Sequence, residues 1–153
     1  MRSLFYISVI IAGLITAFAF FFTNLLTVSF DPANDMLGGG NGNPGLFFVV
    51  APFLIILYFY FSMLFVFEQF HQRFTFKQQK WLKYSYLFVF LILTLYTFYR
   101  ATMHRNYINA NHPYMEVGLL SQFSNHLFFN VWTFIALLCL IAFLSFFVQK
   151  KAT

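Results

Sequence analysis

The chain has 153 residues, 61% hydrophobic and only 8% charged, with a mean hydropathy of +0.74. Soluble domains carry charge on about a quarter of their residues, so an ordinary soluble fold is excluded. The net charge of +5 does not point to nucleic acid, because the bases sit at the borders of apolar runs and not along one groove or helix face.

Four apolar runs take up most of the length and leave none for a separate soluble domain. Each is continuous and long enough to cross a hydrocarbon layer of about 30 Å, which takes about 20 helical residues. In lipid the backbone must satisfy its own hydrogen bonds, and unbroken apolar runs do so as helices, not as alternating barrel strands. The expected fold class is an all-α integral membrane protein, one domain over residues 1–153. Its four transmembrane helices form an antiparallel bundle with spans at about 4–28, 46–67, 81–102 and 123–148.

The first run is far longer than the 7 to 15 apolar residues of a signal peptide and reads as a retained anchor. Ser8, Ala12, Thr16, Ala19, Thr23 and Thr27 recur at three- and four-residue steps, one helix face on which a neighbour can approach closely. The loop from Ser29 to Gly45 is turn-rich, with Asp31 and Asp35 as its only charges, and it lacks the ligand spacing of a calcium loop. Asn43 and Pro44 suit an N-cap and first turn, and Pro52 is placed to bend the second span. The next loop, Glu68 to Lys80, sets Phe70, Phe74 and Phe76 among Arg73, Lys77 and Lys80, a pattern suited to anionic headgroups.

The third span carries Thr94, Thr97, Arg100, Ala101 and His104 along one stripe, and the fourth begins with His126, Asn130 and Thr133 at similar spacing. Farther along, Cys139 is the single cysteine and reads as a small buried apolar residue. Arg2, Arg73, Lys77, Lys80, Lys83, Lys150 and Lys151 fall on one side of this topology, and only Arg100 and Arg105 on the other. The positive-inside rule therefore places both termini in the cytoplasm.

In that arrangement Asn24, Thr97, Arg100, His104, His126 and Asn130 share a depth in the outer half and are the expected ligand-binding residues. An arginine near the end of a span costs energy unless it snorkels or finds a partner, and its planar fork suits carboxylate or phosphate. The competing expectation is that Arg100 and Arg105 snorkel or pair with Glu116, while the threonines and asparagines bond between helices. His104, His112 and His126 match no zinc spacing, so neither metal nor cofactor is expected. Nor does a catalytic set emerge. Ser62, Ser85 and Ser145 have no histidine in reach in this topology, Ser121 and Ser124 alone lie near His126, and every aspartate is in one loop.

These absences favour a non-enzymatic accessory, assembly or immunity-type subunit, its partners being membrane lipids and either a larger membrane protein or further copies of itself. The alternatives are a ligand-binding or transport module with an outward-facing polar vestibule for an anionic or amphiphilic ligand, and an outer-leaflet lipid-modifying enzyme. The 26 phenylalanines suit a low-GC bacterial genome and hence a bacterial cytoplasmic membrane.

Overall fold

The computed structural model describes residues 2–27, 30, 44–111, 117–119, 121 and 123–148. Asp31, Asp35, Asn43, His112, Glu116, Lys150 and Lys151 lie outside them. The helices are α1 (Arg2–Leu25), α2 (Phe47–Val50), α3 (Phe53–His71), α4 (Phe76–Asn111), α5 (Asn125–Phe128) and α6 (Val131–Val148), with a 3₁₀ turn at Pro44–Leu46. Among the described residues four stretches are long and apolar enough to cross a membrane: α1, α3, α4 and the segment Asn125–Val148 that holds α5 and α6.

The small-residue face of α1 packs inward, with Ala12, Thr16, Ala19 and Thr23 all buried. In lipid there is little hydrophobic drive for helices to associate, so the gain comes from dispersion between closely fitted surfaces. Against this face stand Ile56, Phe59 and Tyr60 of α3, with Phe134, Leu138 and Ile141 of α6 closing the cluster. The rings of Phe59 and Phe134 lie nearly parallel, at 9° and 6.0 Å between centroids. α6 is the hub, packing on both α3 and α4, while α1 leans mainly on α3 and α2. α4 has its principal interface with α6 alone.

Three of the threonines bond within their own helices and not across helices as expected. Thr16, Thr97 and Thr102 donate to the carbonyls four residues earlier in their own helices, at 2.8 to 2.9 Å. A hydroxyl one turn from a carbonyl finds it without any neighbour's help. Thr23 is the exception in part, since its hydroxyl lies 2.8 Å from both Ala19 O and Gly45 O and so ties α1 to the 3₁₀ turn.

The helix bounds differ from the expected spans at four places. Pro52 does interrupt the second span, because proline lacks the N–H that the helix ladder needs, and α2 and α3 meet at a turn over Ala51 and Pro52. The expected loop Glu68 to Lys80 shrinks to Gln72–Thr75. Gln78 reaches back to accept from the Thr75 backbone N–H at 3.0 Å, half of the reciprocal cap that a T-x-x-Q sequence provides, and α4 starts at once. At its other end α4 runs on to Asn111, 36 residues or about 54 Å, well beyond an apolar layer of about 30 Å. There Ile108 is buried against Val117 and Phe123, and Arg105 Nε donates to Val117 O while Asn109 Oδ1 accepts from Val117 N–H. Last, the fourth span is broken between α5 and α6 at Phe129 and Asn130.

The extension of α3 through His71 also overturns the expectation that Ser145 has no histidine nearby. His71 and Ser145 are both 0% exposed, and Ser145 Oγ lies 3.0 Å from His71 Nδ1 while donating to Ala142 O at 2.8 Å. The imidazole stacks on Phe146 at 3.9 Å. Counted as a loop residue, His71 was out of reach; on a continuous helix it meets the end of α6.

Candidate functional site

α1 and α4 stand on the same side of α6 with no substantial interface between them. The gap holds a cavity of about 580 Å³, within the range of small-molecule sites. α1 supplies Ala17, Phe20, Phe21 and Asn24 to one wall, and α4 supplies Tyr96, Thr97 and Arg100 to the other. The floor comes from His126 and Leu127 of α5, and from Asn130, Val131, Trp132 and Phe134 at the start of α6.

Five of the six residues expected to form a site thus line one cavity: Asn24, Thr97, Arg100, His126 and Asn130. His104 is not on the wall. It lies one turn past Arg100 on α4, and its ring meets that of His126 edge to face, 5.5 Å between centroids at 90°. His104 Nε2 is buried and has no hydrogen-bond partner among the described residues.

The polar groups on the wall differ in how far they are already engaged. Asn130 is saturated: its Oδ1 accepts from the Trp132 and Thr133 N–H groups, capping α6, and its Nδ2 donates to His126 O and Leu127 O, closing α5. Asparagine does this well because its amide offers both roles from one short side chain. Its donors are committed to the backbone and not to a ligand. Asn24 Nδ2 donates to His126 O at 3.0 Å, the bond that fastens α1 to α5, and the Thr97 hydroxyl is spent on Leu93 O.

Arg100 is different. Its Nη1 donates to Tyr96 OH at 2.9 Å, and its guanidinium lies 5.8 Å from the Tyr96 ring centroid. Tyr96 is one turn toward the N-terminus of α4, the direction in which helical side chains lean. The cation thus has one donor engaged by a residue of its own helix, at the wall of the cavity. Among the described residues no carboxylate pairs with it; the one described acid, Glu68, sits at the far end of α3. Tyr96 and Trp132 escaped the sequence reading, although the four-residue step from Tyr96 to Arg100 is a signal for the first.

The serines near His126 do not form a nucleophilic pair with it. Ser124 is buried, donating to Leu119 O at 2.7 Å and accepting from the Ser121 N–H at 2.8 Å, so it closes its own loop. Among the described residues no three His, Cys, Asp or Glu side chains gather where a metal ion could be held. The His71 and Ser145 pair is sealed from both water and the cavity.

Compared with family models, curated proteins and solved structures, the chain matches none.

Proposed function

We propose that this protein is a membrane-embedded binding or transport module for an anionic amphiphile, held in the cavity between α1 and α4. The observation that carries the reading is Arg100: a permanent cation at the wall of a mostly apolar cavity, hydrogen-bonded to Tyr96 and without a carboxylate among the described residues. A guanidinium beside apolar surface gains from meeting an anion, and its remaining donors suit two oxygens at once. His126 beside it adds a further nitrogen-bearing ring, and Phe20, Phe21, Val131 and Phe134 offer apolar contact for the rest of the ligand. A subunit acting only through surface contact, the leading expectation from sequence, would not call for such a cation inside a span.

The proposal includes the orientation. With Arg2 and the bases of the α3 to α4 turn in the cytoplasm, both termini are cytoplasmic and the cavity lies toward the outer face of a cytoplasmic membrane. The test is to purify the protein in mild detergent and measure retained anionic amphiphiles by native mass spectrometry. Wild type is expected to keep a stoichiometric anionic ligand, and Arg100→Gln to lose it with about tenfold weaker affinity, the scale of one charged hydrogen bond. Equal retention by the two proteins would sink the proposal.

A further inference from the structure

Two of the three walls, α1 and the floor, turn apolar in the same direction along the membrane normal, and on the third Arg100 stands at the polar level. On α1 the cavity begins at Asn24 and ends at Ala17, seven residues or about 10 Å away. On α4 Arg100 stands beyond Thr97 and Tyr96, and on the floor His126 and Asn130 give way to Val131 and then Phe134. Because α1 and α4 run one way and α6 the other, sequence order reverses between walls, yet the polar end is at the same level on all three. The gradient matches that of the adjoining leaflet, with headgroups at one level and chains below. α1 and α4 have no substantial interface with each other, which leaves the gap between them as a lateral route from lipid.

Resting on the reading above, we infer that the occupant is a phospholipid of that leaflet. It reaches the cavity laterally between α1 and α4, sets its phosphate against Arg100 and His126, and lays one chain along Ala17, Phe21 and Val131. Phosphate suits the polar end because Arg100 can take two of its oxygens while a histidine donor meets a third. A soluble anion would need only the polar end and would leave the apolar depth below it without a purpose.

The chain has two tryptophans, and this provides the probe. Trp132 lines the cavity with 52% of its surface exposed, and Trp81, 69% exposed, sits near the opposite end of α4. In a Trp81→Phe protein reconstituted in phosphatidylcholine vesicles, Trp132 fluorescence is quenched by lipids brominated along one chain. Brominated phosphatidylglycerol is expected to quench at about a tenfold lower fraction than brominated phosphatidylcholine. Arg100→Gln should bring the two curves together. Ala17→Phe, which fills the apolar end at an exposed position, should do so with Arg100 intact. Coincident curves in the parent protein overturn the inference. A preference that survives Ala17→Phe, or is abolished by inorganic phosphate in the buffer, overturns the lipid chain as occupant and leaves an anion site at Arg100. A preference that survives Arg100→Gln defeats the reading of the site itself. Unfolding midpoints in detergent show that the variants stay folded.

Discussion

At Gly13 α1 comes close against α3. A Cβ built there would stand 2.8 Å from Phe59 Cε2, and Phe59 is held in turn by the ring of Phe134. Replacing glycine by alanine inside a helix gains up to about 1 kcal/mol of propensity, but overpacking a fitted contact costs about 1 to 3 kcal/mol. Gly13→Ala is therefore expected to lower stability by about 1 kcal/mol in detergent unfolding. In a Phe59→Leu background the sign should reverse, because the obstructing ring is gone and only the propensity gain is left. Loss of stability unchanged by Phe59→Leu would show that the close approach is not the cause. The same scale explains what sequence could and could not say about the candidate site. Arg100, His126 and Asn24 stood out as polar residues in apolar runs, and spacing put them on facing stripes. That Asn130 spends its amide on two helix ends, and that Arg100 turns toward Tyr96, depends on rotamers that no spacing encodes.

At the scale of elements, the break in the fourth span decides the shape of the cavity floor. Asn130 ends α5 and starts α6 with four hydrogen bonds from one amide. Removing a helix cap costs about 1 kcal/mol, so Asn130→Ala is expected to destabilise by about 1 to 2 kcal/mol with both ends affected. Asn130→Asp should fall between, since it keeps the acceptor for the Trp132 and Thr133 N–H groups and loses both donors. Equal stability of all three proteins in thermal unfolding would remove Asn130 from this role. The other bounds teach a related lesson. The apolar runs marked where spans lie, but helices do not stop where hydropathy does. Thr75 and Gln78 begin α4 within an expected loop, and Ile108 prolongs it because Val117 and Phe123 offer something to pack on.

For the whole molecule, the arrangement around α6 matters more than the order of helices along the chain. α3 and α4 are joined by a short turn, yet α4 packs on α6, and this leaves α4 opposite α1 with the cavity between. Orientation is tested by single-cysteine labelling in a Cys139→Ala background, using a maleimide that cannot cross the membrane. Asn111→Cys at the end of α4 is expected to label in intact cells, and Lys77→Cys at the start of α4 only after lysis. The opposite pattern would place the polar end of the cavity at the inner leaflet.

Sequence by itself determined the class of fold, the number of spans and the set of polar residues from which a site is drawn, because each follows from the cost of leaving backbone or charge in hydrocarbon. Tertiary structure decided which of those residues face a cavity, which are consumed by helix ends, and that His71 meets Ser145 at the far end of the bundle. Those outcomes turn on which helices touch. Between apolar surfaces in lipid, contact is settled by the fit of side chains and not by hydrophobicity, and fit is a property of the assembled helices.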